Sequence, residues 1–488
     1  MKAEFLRSKK TGTINKRIKG ILCLIVICAI ITPIIPAQAD TTTRSNGQEA
    51  DWKQYPYYPT GTLISFPLDE GAHDTAIFPI EWWYVNFHLI GNDTGNEYGS
   101  FVAFYKIQTS MMDKKEVRIF SISDIEAEKN YTNTKIGTLT ASSDYLNLNF
   151  AYITNDYKKT EQSSTGAISS NLIYENLEMM NTLDRETIDI STNQITLMNL
   201  PYSNLSSMAN TIDICEKNYQ EEGDELKQHD YWYTKTNDQG LLPFQYTLIV
   251  GGNSKQDSQP MELNVDMDCQ KKPLIVGRDG VIYYGYDAFS YYYGLTKLTV
   301  NGTISVHGVT EEVTGNAWID HQWGNFINQN PPPWGLTITY EWFSIQLVDN
   351  REIVVGDMWN RETGEKMSLS YTDGLNLINS DGSIKLLYDY QITPLSFWND
   401  TSDKHVYSNK WHLTEASRSI DLIVTPVFQN QMMRFKENHQ LLQQILEELF
   451  PGACFWEGVG IVTGTINDIP VNGKAYVELT HYYDTAEK

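Results

Sequence analysis

The sequence predicts an all-β protein made of two related domains. Short runs rich in Val, Ile, Thr, Tyr, Phe and Trp recur between Gly, Asn and Asp turns, convincing helical periodicity is scarce, and two segments repeat in the same order.

The repeat comes first because it sets the domain count. Glu81-Trp82-Trp83-Tyr84-Val85-Asn86-Phe87 is echoed by Glu341-Trp342-Phe343-Ser344-Ile345-Gln346-Leu347. Gly302-Thr303-Ile304 followed by Val313 to Asp320 is echoed by Gly464-Thr465-Ile466 followed by Val471 to Glu478. On this reading Glu81 and Glu341 begin equivalent strands. The first copy, Glu81 to Gly324, spans 244 residues against 143 for Glu341 to Tyr483. The polar stretch at about 124–240 is the natural insertion, since surface loops absorb added length at small entropic cost. Pro331-Pro332-Pro333 reads as a stiff linker over 327–336, between a first domain at 55–326 and a second at 337–488.

A β domain the size of the second copy must close its sheet or stack two sheets to protect its edges. A closed antiparallel barrel of about eight strands leaves room for one small ligand. A lipocalin-like cup is the leading architecture and a pair of β-sandwiches the alternative. One short helix is expected in the second domain, from Gln431 to Phe450, where Leu441, Leu442, Ile445, Leu446 and Leu449 fall at helical spacing and would pack on the barrel.

Residues 1–39 read as a secretory signal: Lys9, Lys10, Lys16, Arg17 and Lys19 precede an apolar run from Ile21 to Pro36 that ends in Ala37-Gln38-Ala39. The expected product is secreted or held at the cell surface, touching a membrane only through an uncleaved signal. Removal of that segment takes away seven of 37 basic and one of 61 acidic residues, leaving a formal net charge of −30. Such a surface repels phosphate backbones and excludes nucleic acid as a partner. Of the three cysteines that remain, Cys215 and Cys269 are the preferred pair by proximity, with three free thiols the alternative.

The chain has no His-Glu-x-x-His, no Cys-x-x-Cys, no phosphate-binding Gly loop and no Gly-x-Ser-x-Gly elbow. Its nine histidines are scattered, so neither a cofactor nor a metal site is expected. Two segments stand out instead: His73 with Glu81-Trp82-Trp83-Tyr84, and Ala317 to Gly324. Strand alternation sends Glu81 and Trp83 to one face and Trp82 and Tyr84 to the other. It also groups Trp318 with Asp320 and places His321 and Trp323 opposite them. An aspartate beside a tryptophan inside an apolar cup resists ionisation. Such a proton donor suits protonation of a carbon–carbon double bond, with the resulting cation held over aromatic faces. The structural readings stand beside this one. Glu81 and Glu341 read as fold-closing hydrogen-bond partners, Trp82, Trp83, Trp323 and Trp342 as core, and Asp320 equally as acid or as brace.

These same residues carry a family resemblance. Glu81-Trp82-Trp83-Tyr84, Ser290-Tyr291-Tyr292-Tyr293 leading to Gly302, Trp318-x-Asp320-His321-x-Trp323-Gly324, Trp342 to Leu347, Phe455-Trp456-Glu457-Gly458 and Gly473-x-Ala475-Tyr476-Val477-Glu478-Leu479 resemble, in order, the signatures of the AttH-type family. Bacterial carotenoid 1,2-hydratases (hydroxyneurosporene synthases) are related to that group. The resemblance implies two lipocalin-like antiparallel β-barrels and an apolar isoprenoid, polyene or lipid ligand. In the hydratase branch an aspartate two residues after an aromatic acts as the acid, and Trp318 with Asp320 matches that pattern, Trp318 standing where those enzymes have tyrosine. The expected catalytic pair is Asp320 and Trp318; His73, Glu81, Trp83, Tyr84, His321, Trp323, Tyr476 and Glu478 are the expected ligand-lining residues. A cofactor-free hydratase or isomerase, a non-catalytic lipocalin-type carrier and a structural surface protein are the three functions to separate.

Overall fold

A computed structural model describes residues 51–109, 112–153, 219–222, 225–285, 288–325, 338–361, 363–402, 405–434 and 454–483. Those residues form two curled antiparallel sheets and, apart from a 3-10 turn at Leu68–Glu70, no helix. The expectation of an all-β chain in two barrel-like halves holds.

The first sheet contains β1 (Ile80–Gly91), β2 (Glu97–Thr109), β3 (Met112–Asp124), β4 (Lys129–Ile136), β5 (Thr138–Ala141), β6 (Asn147–Ile153), β7 (Tyr219–Glu222) and β8 (Glu225–Asn237). It continues with β9 (Gly240–Asn253), β10 (Pro260–Cys269), β11 (Leu274–Ile275), β12 (Val281–Gly285), β13 (Ala288–Val306) and β14 (Val309–Gly324). Its order is β4-β3-β2-β1-β14-β13-β10-β9-β8-β6-β5. The two ends meet through Glu116 of β3, whose carbonyl accepts from Gly137 N–H at 3.1 Å and whose carboxylate accepts from Leu139 N–H at 2.7 Å.

The second sheet contains β15 (Ile338–Leu347), β16 (Glu352–Asn360), β17 (Lys366–Ser370), β18 (Leu375–Ile378), β19 (Ile384–Leu387) and β20 (Tyr390–Asn399). Then come β21 (Val406–Glu415), β22 (Ile420–Pro426), β23 (Met432–Arg434), β24 (Cys454–Ile466) and β25 (Ile469–Leu479). Its order is β19-β18-β16-β15-β25-β24-β22-β21-β20.

β1 and β15 occupy the same topological place, each between the next strand in sequence and the last strand of its sheet. The register, however, corrects the first echo by two residues. Gly315 pairs with Leu89 and Gly473 with Leu347. Matching these two glycines aligns Asp320 with Glu478 and Trp318 with Tyr476, but Glu81 with Thr339, so that Glu341 answers to Trp83. A two-residue slip preserves the face of every side chain, which is why the echo still reads correctly for burial. Both glycines are required by close approach: a Cβ on Gly315 would lie 2.0 Å from the His88 carbonyl oxygen, and one on Gly473 2.3 Å from that of Gln346.

Strand alternation sorts the buried side chains into three cores. Trp83, Val85, Phe87 and Leu89 fill the first barrel with Phe104, Phe150 and Trp232. Phe343, Ile345, Trp411 and Val477 fill the second. A third core lies between the sheets, where Tyr84, Phe101, Tyr292 and Trp318 of the first meet Trp342, Met358, Phe455 and Tyr476 of the second. β1 is therefore covered on both faces, and eleven of its twelve residues escape full exposure. Matched residues touch each other across this layer: Tyr84 packs edge-on to Trp342 at 5.6 Å, and Asn86 Nδ2 donates to Ser344 Oγ at 3.3 Å. Like faces thus meet in an isologous contact. Lys271 ties the sheets further, with Nζ at 2.7 Å from Glu352 Oε2 and 2.9 Å from the Asn379 carbonyl.

Several expectations fall elsewhere. Met432–Arg434, the start of the expected helix, pair as a strand with Cys454–Trp456, and the rest of that helix lies outside the described residues. So do the signal segment, the Pro-rich linker and Cys215. Within 124–240, the described residues supply β4, β5, β6, β7 and β8 to the first sheet. Cys269 is a buried free thiol that donates to the Lys271 carbonyl at 3.0 Å, which corrects its expected disulfide.

Candidate functional site

The structure divides the expected site residues between two compartments. Trp318, Asp320, Tyr84, Tyr476 and Glu478 lie between the sheets, whereas His73, Glu81, Trp83, His321 and Trp323 lie at the first barrel's interior face. Asp320 is therefore not in a barrel cup. The barrel interiors are occupied by their own side chains, and the acid sits on the outer face of β14, covered by the second sheet.

Asp320 is held by two aromatic donors. Trp318 Nε1–H donates to Oδ1 at 3.0 Å, and the Tyr292 hydroxyl bonds Oδ2 at 3.0 Å. Tyr292 in turn accepts from Trp342 Nε1–H at 3.2 Å, linking the acid to the second sheet. Burial dominates its ionisation and outweighs both donors; with the charge of Glu478 added, the carboxyl is pushed up to about 8. Gly294, opposite Asp320 in the ladder, makes room for it: a Cβ there would stand 2.7 Å from Asp320 Oδ1.

Two further carboxyls share the layer. Glu457 and Glu478 face each other across the β24–β25 ladder. Burial and then the charge of Glu478 raise Glu457 well above the usual carboxylate range. Burial also raises Glu478, to about 7, against the opposing hydrogen bond from the Tyr340 hydroxyl. Two close carboxylates do not both ionise cheaply, so the pair holds a shared proton near neutrality. Glu457 lies near the Tyr84 hydroxyl and the Tyr476 hydroxyl near Ser121, but neither contact closes into a well-formed hydrogen bond. Poorly satisfied polar groups inside an apolar layer are rare in folded proteins, and an ordered water or a catalytic role is among the explanations for them.

The layer is least closed around four of its side chains. Trp82, Tyr340, Tyr371 and Glu478 are half-buried while their neighbours in the layer are closed off. Tyr340 stacks on Tyr371 at 4.7 Å and 18°, and Tyr371 follows Ser370, which lines a cleft of about 450 Å³ between the sheets. Ile282 and Met367 belong to that cleft and also to the apolar layer around Asp320.

The second compartment was expected to supply ligand-lining residues and no metal site. It instead brings together His73, Glu81 and His321, with one donor atom from each within 4.8 Å of the others. Glu81 and His321 are 240 residues apart, so no local spacing announces the cluster. Glu457, Tyr292, Tyr340 and Trp342 are site residues that the sequence reading does not single out. Glu457, Tyr292 and Trp342 stand in the family signatures, but nothing in one sequence shows that the two sheets will bury them against each other.

With this geometry in hand, comparison with known proteins places the chain. The AttH-like family profile matches residues 217–482. No curated protein matches. A crystal structure of an AttH protein from Nitrosomonas europaea is 19% identical, covering 88% of this chain and 99% of its own, with a TM-score of 0.53. Kievitone hydratase from Nectria haematococca is 12% identical over the same shares of the two chains, with a TM-score of 0.47. CghA with Sch210972 is 8% identical, covering 82% and 88%, at 0.40. At these identities the likeness is one of fold. The profile match takes in more than half of the 488 residues, and the chain belongs to the AttH-like family.

Proposed function

We propose that this protein is a cofactor-free acid–base catalyst that hydrates or isomerises an apolar isoprenoid, polyene or lipid outside the cytoplasm. The observation that carries the proposal is the buried Asp320 carboxyl, bonded to Trp318 and Tyr292 with Trp342 behind Tyr292, and pushed up to about 8 by that burial. A neutral carboxylic acid among indole and phenol faces can protonate an alkene, because those faces stabilise the cation it leaves.

The step balances without a co-reactant other than water. The Asp320 O–H bond breaks as a C–H bond forms, giving a tertiary cation and an aspartate. Water then adds to the cation, and the proton it sheds restores the carboxylic acid. If the cation instead loses a neighbouring proton to Asp320, the product is an isomer. In this reading Glu478, half-buried beside Glu457, orients the water.

Export rests on the amino-terminal signal pattern and an apolar ligand on the aromatic lining of the layer. A carrier function of the lipocalin type would need an open barrel, whereas the described interiors of both barrels are packed. The test is Asp320→Asn assayed for binding of a fluorescent polyene and for turnover of a panel of acyclic isoprenoids. Retained binding with lost turnover supports the acid; unchanged turnover removes it.

A further inference from the structure

His73, Glu81 and His321 meet at the first barrel's interior face, away from the Asp320 layer. Glu81 Oε1 is 2.7 Å from His73 Nδ1 and 3.1 Å from His321 Nε2. The outer nitrogens of both imidazoles are held by one residue. His73 Nε2 lies 3.1 Å from Asp69 Oδ1, and His321 Nδ1 lies 3.0 Å from the Asp69 carbonyl oxygen. An imidazole whose outer N–H donates to a carboxylate or a carbonyl presents its inner lone pair in a fixed direction, which is how histidine ligands are oriented at metal centres.

The rings are fixed by packing as well. His73 stacks on Trp323 at 4.1 Å and 8°, and His321 on Trp83 at 4.8 Å and 22°. Lys106 Nζ, 3.1 Å from Glu81 Oε2, and the His73 backbone N–H, 3.0 Å from Oε2 and 3.1 Å from Oε1, fix the carboxylate with Oε1 turned toward both imidazoles. The charge of Lys106 opposes a cation, so the site is of moderate rather than extreme affinity. Glu81 and His321 are fully buried, whereas His73 and Asp69 keep 15% and 16% of their side-chain surface exposed. That edge is an entry path.

The fold does not need this cluster to close a barrel. At the matching place in the second sheet, Thr339 takes the position of Glu81 and His481 that of Trp323. They make a single Oγ1–Nδ1 hydrogen bond at 2.8 Å, with His481 stacked on Trp359 at 4.1 Å. Leu479 stands in place of His321. The same architecture is thus completed there with one imidazole, and its buried carboxylate, Glu341, stands at the place of Trp83 and is bonded by the Ser408 hydroxyl rather than by a histidine.

We propose that His73 Nδ1, Glu81 Oε1 and His321 Nε2 bind a zinc-class divalent cation, leaving its fourth position open toward the His73 edge. Two imidazoles and one carboxylate with an open position form a donor set suited to zinc and compatible with cobalt(II). Binding displaces the proton between His73 and Glu81, so affinity falls as pH is lowered.

The experiment uses the chelator-treated full chain, zinc or cobalt(II) alone, and calorimetry with visible absorption. The expected result is one equivalent of metal per chain and a cobalt d–d spectrum of a four-coordinate site. His73→Ala and Glu81→Gln should each abolish both, and Asp69→Asn should weaken binding about 10- to 100-fold by releasing the imidazoles. Circular dichroism confirms folding of each variant; His73→Ala is the primary one because its side chain is partly exposed. Absence of a cobalt spectrum in the wild type, or an unchanged spectrum in folded His73→Ala, overturns the proposal. Asp320→Asn should bind metal as the wild type does, so failure here is separable from failure of the acid–base reading.

Discussion

Asp320 and His321 are neighbours on β14 and belong to different compartments. Asp320 faces the second sheet through Trp318 and Tyr292, while His321 meets Glu81 and Tyr293 on the first barrel's interior side. The alternation of one strand therefore serves two sites, back to back, with opposite electrostatic character. One is a neutral acid among aromatics and the other an ionised carboxylate among imidazoles. At Glu81, burial raises the carboxyl, but hydrogen bonds and charge from His321 and His73 outweigh it and hold it at about 2.

The first prediction is the pH dependence of stability. The unfolded aspartate titrates near 3.9, and the folded one at about 8. Between those values the native state holds a proton that the unfolded state has lost. Asp320 thus contributes stability that is fully present below about pH 4 and lost as pH rises through about 8, at about 1.4 kcal/mol per pH unit. Urea unfolding of the wild type and Asp320→Asn from pH 5 to 9 should show that slope in their difference. A difference that does not change with pH would mean that Asp320 is ionised throughout.

The second concerns the carboxyl pair. Glu478→Gln removes the like charge that Asp320 and Glu457 both feel. The alkaline limb of activity, set by Asp320, should move to lower pH in this variant while the fold persists. A limb that stays in place would show that Glu478 does not reach Asp320 electrostatically.

The third tests positioning. Gly294→Ala places a methyl 2.7 Å from Asp320 Oδ1, where the carboxyl can yield more easily than the backbone. Stability should fall by about 1 kcal/mol, the low end of overpacking costs. Turnover should fall on the order of 100-fold, because the acid leaves its alignment. Thermal melts and kcat measured on the same preparation separate the two effects.

How much of this was legible in the sequence depends on which residues are asked about. The period of two gave the faces correctly: Glu81 with Trp83, Trp318 with Asp320, and His321 with Trp323 opposite. It could not say what covers each face, so Asp320 was expected in a cup when a second sheet buries it. Glu81 and Glu341 looked equivalent because a two-residue slip preserves alternation, and only the pairing of Gly315 and Gly473 fixes the register. The convergence of His73 and His321 depends on Asp69, whose carboxylate and carbonyl hold the two rings. Nothing in the local spacing of these residues encodes that bracket.

The most direct test of the central claim is proton transfer to carbon. Wild type and Asp320→Asn, equally folded and binding the same acyclic polyene, are incubated with it in deuterium oxide and the products weighed by mass spectrometry. The account predicts a product carrying one carbon-bound deuterium from the wild type, and unreacted polyene from Asp320→Asn. Equal deuterium incorporation by both proteins would contradict it.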